Sequence, residues 1–409
     1  MRHPFPLGRR KGVVSGLPPL LARLGIMPQG RLYCILKERT LPNSCVRLAL
    51  AGARIFILYN NYMHINEFDY YLPERQIATK GIEPRDHSNL LVVNKQKQKL
   101  YHEKFFHIVD YLNPGDVLVL NNSKVFKARV FAGIEGRSAK YEIVITEILG
   151  RGDDAEIKAL IKHSRKAKVG KDIIFPNSLR ANLVKKELDH GLVTMHAKNS
   201  KPSDWFSMLD EHGEVPLPPY IENEGITLEE YETQHAEKIG SVATPTAGRH
   251  FTPKLLRELK EKGVIIKYIT LHVGIGTFQP VWVENIHDHK MHQEYAELPI
   301  DAVYAILQAK KVNNRVVAVG TTTVRTLEGF RAMGELKPRN YPGYIDIYIT
   351  PGFEFKVVDA IITNFHLPKS TLLMMISAFL GHNFMKRAYE EAINNDYRFY
   401  SLGDAMLIE

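Results

Sequence analysis

The sequence predicts an α/β fold: a larger α/β domain carrying an inserted all-β, barrel-like domain. Three observations carry this. Continuous apolar runs are bounded by turn residues, strand-like runs repeatedly pass through a polar loop into a helix, and between about 131 and 200 the apolar period drops to two. The domain boundaries that follow are 1–62 as an extension outside the fold, 63–130 with 201–409 as the α/β domain, and 131–200 as the insert.

Residues 1–62 hold ten Lys and Arg against the single acid Glu38, which accounts for the chain's whole formal charge of +9. The body after them carries equal numbers of each sign, so net charge says nothing about its partners. The segment is Arg-rich like a transit peptide, but its only serines are Ser15 and Ser44, and it has no clean signal-peptide core. We read it as an upstream extension with Met63 as the working start; the other reading is a basic tail that grasps a nucleic acid. The apolar stretch Val46 to Tyr59 is interrupted by Arg47 and Arg54 and falls short of the roughly 20 residues of a membrane span. Both cysteines, Cys34 and Cys45, lie in this segment, so the body has no disulfide, thiolate metal site or cysteine nucleophile.

From Met63 onward the elements follow in order. Leu90 to Val93 and Val117 to Leu120 are unbroken apolar runs, as strands covered on both faces are. In the insert, Tyr141, Ile143 and Ile145 share one face, as do Ile157, Ala159 and Ile161, and Asp189-His-Gly191 reads as a hairpin turn. Thr252 caps a helix over Pro253 to Lys262, with Pro253 in its first turn and Gly263 beyond its end. Strands are expected at Val264 to Val273, Arg315 to Val319 and Val357 to Ile362, with a ligand site at their carboxyl ends.

Four polar clusters sit at such ends. Pro245-Thr-Ala-Gly-Arg-His-Phe251 offers small residues for close backbone approach and a titratable His250; its plainer reading is a helix-entry loop. Leu271-His-Val-Gly-Ile-Gly-Thr-Phe278 has Gly274 and Gly276 but lacks the third glycine of a dinucleotide turn, and His272 is as readily a satisfied core residue as a pocket group. In Val319-Gly-Thr-Thr-Thr-Val-Arg325, hydroxyls and amides at a helix start, with Arg325 as a fork, suit an anion, unless Thr322 or Thr323 is simply the N-cap. In Thr363-Asn-Phe-His-Leu-Pro-Lys-Ser370, Asn364, His366 and Lys369 are expected to converge, while Pro368 and Ser370 would also explain a helix start. His287, His289 and His292 lack any metal-motif spacing. Lys162, Arg165, Lys166, Lys168 and Lys171 form a basic patch in the insert, either a solvated face or a phosphate contact.

At these clusters the chain resembles the S-adenosylmethionine:tRNA ribosyltransferase-isomerase family of queuosine biosynthesis. The resemblance also runs through Phe68-Asp-Tyr-Tyr-Leu-Pro73, Glu83-Pro-Arg-Asp86, Pro114-Gly-Asp116, Leu120-Asn-Asn-Ser-Lys-Val125, Val215-Pro-Leu-Pro-Pro-Tyr220, His289-Lys-Met-His292 and Gly403-Asp-Ala-Met-Leu-Ile408. It covers 63–409 and leaves 1–62 without a counterpart. Lys124, Phe126-Lys127, Glu232, His235, Arg249 and Gln279 depart from the family pattern.

The resemblance implies transfer and isomerisation of the ribosyl moiety of S-adenosylmethionine onto 7-aminomethyl-7-deazaguanine in tRNA, giving epoxyqueuosine with loss of adenine and methionine. It implies a cytoplasmic monomer without metal or prosthetic group, with S-adenosylmethionine as substrate, tRNA as partner and no membrane. The chemistry needs a base beside the sulfonium, an acid for adenine and exclusion of water. His250, His272 and His366 are the acid/base candidates, and Arg325 with the Thr321, Thr322 and Thr323 amides is expected to hold the methionine carboxylate. Phe251, Phe278 and Phe365 are expected to face the sulfonium. Thr246, Gly248, Gly274, Gly276, Asn364 and Lys369 complete the substrate contacts, with Lys162, Arg165, Lys166 and Lys168 for tRNA. Two readings of other classes stay beside this one: a non-catalytic RNA-binding protein, and a small-molecule lyase or hydrolase.

Overall fold

The computed structural model describes residues 22–26, 32–36, 49–50, 53–54, 56–59, 62–162, 167–186, 191–217, 221, 226–274 and 281–409. The chain divides into two compact units, Met1–His64 with Glu284–Asp288, and Ile65–Val283 with His289–Glu409. In the first, Ala22–Ile26, Leu32–Leu36 and Phe56–Tyr59 form a three-stranded sheet, and His64 bridges Asn285.

The second unit contains a nine-stranded mixed sheet and a closed six-stranded barrel. Its strands are β1 (Asn89–Asn94), β2 (Lys99–Lys104), β3 (Val117–Asn121), β4 (Ser123–Val125), β5 (Arg129–Ile134), β6 (Lys140–Arg151), β7 (Asp154–Ile161), β8 (Asp172–Ile174) and β9 (Arg180–Lys186). There follow β10 (Leu192–Ala197), β11 (Lys238–Ser241), β12 (Ile265–Leu271), β13 (Glu294–Leu298), β14 (Val316–Val319), β15 (Tyr341–Ile345), β16 (Ala360–Asn364) and β17 (Ala405–Ile408). The longer helices are α1 (Pro202–His212), α2 (Pro253–Glu261), α3 (Ile300–Lys311), α4 (Thr321–Ala332), α5 (Thr371–Leu380) and α6 (His382–Asn394).

The large sheet runs β15-β13-β12-β3-β14-β16-β17-β1-β2. Its centre, β12, β3, β14 and β16, is parallel, so four strands end at one edge. Alternate residues of these strands face opposite layers. Leu118, Leu120, Val317, Val319 and Ile362 pack with Leu255 and Leu259 of α2, while α3 and α4 lie against the sheet as well. Both faces are covered, which is why the strands read as unbroken apolar runs.

The barrel closes in the order β5-β6-β7-β10-β9-β8. Tyr141, Ile143, Ile145, Ile157, Ala159 and Ile161 all point into one core with Trp205, Met208 and Leu209 of α1, which plugs it. Strands β9 and β10 pair antiparallel around the expected hairpin, whose Asp189 and His190 lie outside the described residues.

Some strand limits differ from expectation. The strand expected at Val357 starts at Ala360, because the Val357 and Val358 amides donate to the buried carboxylate of Glu328 instead of to a neighbouring strand. Thr252 caps α2 as expected, its hydroxyl accepting from the Leu255 amide at 3.1 Å.

Candidate active site

A cleft of about 240 Å³ opens at the carboxyl ends of β14 and β16, and all four clusters reach it, the second through Val273. Thr246, Gly320, Thr321, Thr322, Asn364, Phe365 and His366 line it. At its base, Asn121 ends β3 and ties the neighbouring ends together. Its side-chain amide donates to the Leu271 carbonyl at 3.0 Å and to Thr322 Oγ1 at 3.2 Å, while its oxygen accepts from the Ser123 and Leu271 amides.

The entry to α4 is built for an open helix start. Gly320 stands at the N-cap with φ +85°, where a side chain is strained and where glycine has no group to cap with. Thr323 turns its hydroxyl back to the Val319 carbonyl at 2.7 Å, and Thr322 Oγ1 accepts from Asn121, so neither is the N-cap that the plainer reading required. The first-turn amides and the positive dipole end therefore face the cleft.

Asn364 is fixed from behind by a chain of hydrogen bonds. Its Nδ2 donates to His250 Nε2 at 3.1 Å, and Thr246 Oγ1 donates to its Oδ1 at 3.0 Å. His250 Nδ1 then donates to Ser88 Oγ at 2.7 Å, and Ser88 donates to the Arg85 carbonyl at 3.0 Å. His250 stacks on Phe105 at 4.8 Å and is buried; desolvation, aided by the charge of Arg249, pushes its pKa down to about 3. Expected to meet substrate directly, His250 instead lies behind Asn364 and holds it in position.

His366 lines the cleft itself, its Nε2 2.9 Å from Thr363 Oγ1. Its backbone N–H donates to Tyr389 at 3.1 Å and its carbonyl accepts from Tyr70, so the ring's base is clamped from two sides. Burial pushes its pKa down to about 3, leaving a neutral imidazole.

His272, just past the end of β12, faces elsewhere. It lies in a second, larger cleft with Gly274, while Val273 between them lines the first. Ser123 Oγ sits 2.8 Å from its Nδ1, Tyr295 stacks on it at 6.0 Å, and burial lowers its pKa. Gly240, at φ +152°, lets the ring approach the backbone: a Cβ there would come within 2.6 Å of Nε2.

Several expected contacts stand apart from the first cleft. Arg325 is 5% exposed and its Nη1 is paired with Glu294, so the fork expected to clamp a carboxylate is engaged inside the protein; its Nε and Nη2 have no partner. Phe251 is a core residue at 0% exposure, edge-on to Phe105, and presents no face to a ligand. Phe365 does line the cleft, but packs against Phe399 at 4.9 Å and Tyr389 at 5.5 Å. Gly248 packs against the His235 ring, which a Cβ there would meet at 2.9 Å. Lys369 turns away to Asp69 at 2.9 Å, leaving convergence at the strand end to Asn364 and His366. Gly276, Phe278 and Gln279 lie outside the described residues, as do Arg165 and Lys166. Of the barrel lysines, Lys168 is exposed while Lys162 is neutralised by Glu142 at 2.9 Å.

Tyr231, Thr244, Tyr400 and Ser401 also line the first cleft and were missed. Tyr400 carries a φ of +75°, unusual for a tyrosine, and the Phe399-Tyr-Ser-Leu-Gly403 turn was the only sign of it in the sequence. Among the described residues, no group of three or more His, Cys, Asp or Glu could hold a metal ion, and no helix is long and apolar enough to cross a membrane.

The family model described as queuosine biosynthesis protein matches residues 65–408. The S-adenosylmethionine:tRNA ribosyltransferase-isomerase of Thermotoga maritima is 46% identical over 346 residues, covering 85% of this chain and 100% of that protein. Its namesake from a Sulfurihydrogenibium species is 45% identical over 348 residues, again covering 85% and 100%. One from Francisella tularensis is 44% identical over 349 residues, covering 85% and 99%. A crystal structure of S-adenosylmethionine tRNA ribosyltransferase from Thermotoga maritima is 38% identical, covers 84% of this chain and all of that one, and has a TM-score of 0.49. With the family model spanning the whole sheet-and-barrel unit and relatives matched end to end, the chain belongs to the queuosine biosynthesis protein family.

Proposed function

We propose that this protein is a transferase and isomerase that moves the ribosyl part of S-adenosylmethionine onto 7-aminomethyl-7-deazaguanine in tRNA. The product is epoxyqueuosine, and adenine and methionine leave. The observation that carries the reading is the first cleft. Three loops bring an uncapped helix start, Asn364 and His366 together at the ends of parallel strands, within a chain whose relatives are matched over their whole length. It works as a cytoplasmic monomer, with S-adenosylmethionine as substrate rather than as a retained cofactor.

The first cleft suits the methionine end of the donor. Its carboxylate meets the positive end of α4, where Thr321 and Thr322 line the cleft and Thr323 is buried behind them. Tyr231 and Tyr400 supply aromatic faces for the sulfonium, with Phe365 behind them. The sulfonium acidifies the adjacent ribosyl carbon, and a neutral imidazole is free to accept the proton there. Of the three histidines His366 is the one that lines this cleft, so it is the first candidate for that base, and its burial means that it accepts the proton only as the reaction proceeds. His272 is the candidate on the opposite side of Val273, and His250 serves through Asn364. Lys162 and Lys168, with Arg165 and Lys166, are left with a minor part in holding tRNA.

The test is release of free adenine when the protein meets S-adenosylmethionine and tRNA bearing the aminomethyl-deazaguanine base. Release that depends on the tRNA supports the reading. Release without RNA would point to a small-molecule lyase, and RNA binding without release to a binding protein. Near-wild-type turnover in all of His250→Ala, His272→Ala and His366→Ala would overturn the acid/base roles.

A further inference from the structure

The second cleft, about 940 Å³, is nearly four times the first and is built differently. One wall is the outer face of the barrel. Side chains alternate along a strand, so while Ile157, Val193 and Met195 fill the barrel core, Glu156, Lys158, Thr194 and His196 point outward into this cleft. The opposite wall is the carboxyl end of β12 with β13, bearing His272 and Tyr295.

Its polar groups are pre-arranged. Lys158 and the Tyr344 hydroxyl both hold Glu147, the lysine at 2.6 Å, and His196 stands 3.2 Å from Glu156. Each carboxylate has more lone pairs than these partners use, and those left can accept from the ring N–H and exocyclic amine of a guanine-type base. Lys185, exposed on the barrel wall, suits a phosphate, and the Tyr295 ring on the opposite wall suits a base plane. The two clefts meet back to back at one point: Val273 lines the first, and its neighbours His272 and Gly274 line the second.

We propose that the second cleft receives the nucleotide to be modified, swung out of the anticodon loop, while the sulfonium donor enters from the first. The assignment rests on the function proposed above. A base inside a stacked loop cannot present its arm to a buried donor, so extrusion into a separate pocket is the available route. The barrel is then one jaw of the nucleotide site, and Glu147 and Glu156 are its specificity-determining groups.

The experiment fills the cleft from a position that no core depends on. Thr194→Trp projects from the outer barrel face, and Val169→Trp, 59% exposed and away from the cleft, is the matched control. Binding of an anticodon stem-loop RNA carrying the aminomethyl-deazaguanine base is measured by fluorescence anisotropy, and binding of S-adenosylmethionine by equilibrium dialysis. Thr194→Trp should weaken RNA binding by about tenfold or more, the worth of one lost base-stacking contact, with donor binding and the thermal midpoint unchanged. Glu156→Gln should narrow the preference for the aminomethyl base over guanine in the same stem-loop. Unchanged RNA affinity in Thr194→Trp, or equal loss of donor binding, overturns the assignment. Adenine release by the wild-type protein is scored separately: its absence sinks the proposed activity, whereas its presence with an unaffected Thr194→Trp sinks only the nucleotide site.

Discussion

Replacing Glu294 by Gln changes one charge where no water can compensate for it. Glu294 and Arg325 are each 5% exposed, and the carboxylate holds both Arg325 Nη1 and, at 2.9 Å, the amide of Gly274. Glutamine has nearly the same shape, and its carbonyl can still accept from Gly274, so the perturbation is the lost charge. Arg325 is poorly placed to absorb it, since its Nε and Nη2 hydrogens already lack partners. Breaking a buried pair from one side costs about 3–5 kcal/mol, because the other charge stays buried alone. That is a large share of the ~5–15 kcal/mol that keeps a domain folded. In urea titrations followed by tryptophan fluorescence the midpoint should fall by that free energy divided by the slope, with little change in the slope itself. The double variant Glu294→Gln with Arg325→Met, which removes both charges, should be more stable than Glu294→Gln alone. A single variant within about 0.5 kcal/mol of wild type, the scatter of surface changes, would refute the argument. So would a double variant less stable than the single.

Three further outcomes are expected. Ser88→Ala strands the buried His250 Nδ1 proton, costing about 1–3 kcal/mol, and lowers kcat for adenine release by loosening Asn364, whereas Ser88→Thr restores both; unchanged turnover in a destabilised Ser88→Ala would detach this network from the reaction. His250 and His366 have folded pKa values pushed down to about 3, against ~6.5 in the unfolded chain. Stability from them is therefore complete above about pH 6.5 and falls as pH drops towards 3, by on the order of 3 kcal/mol each at about pH 4. His366→Gln should flatten that slope, and a parallel slope in the variant would contradict it. Finally, a chain begun at Met63 should release adenine as the full chain does, since the family match starts at residue 65; a folded but inactive truncation would return a role to the basic segment.

Much of this was legible because it is local. Unbroken apolar runs marked β1 and β3, a run passing through a polar loop into a helix marked β14, and period-two alternation marked β6 and β7, since these patterns follow from which faces of a strand are covered and what comes next in the chain. The helix at Thr252 announced itself by cap chemistry within three residues. What was not legible depends on partners far along the chain. Arg325 looked like a free fork until Glu294 supplied its counter-charge. Phe251 looked like a cleft aromatic until Phe105 closed over it. His250 and His366 share a residue type with His272, and only burial and neighbours separate a group behind the cleft from one that lines it. Tyr231 and Tyr400 reach the first cleft from segments that carry no catalytic pattern of their own.

The placement of β17 governs the order in which this molecule can assemble. The barrel closes from strands that follow one another along the chain, so it can form as soon as they are made. The sheet cannot, because Ala405–Ile408 is wedged between β16 and β1, and the Asn89 amide bonds to Asp404, 315 residues downstream. Until Ala405–Ile408 leaves the ribosome, β16 and β1 each expose an edge of unpaired backbone N–H and C=O groups ready to pair with another chain. Loss of β17 would therefore do more harm than its four residues suggest, leaving a finished barrel attached to a sheet parted between six strands and two.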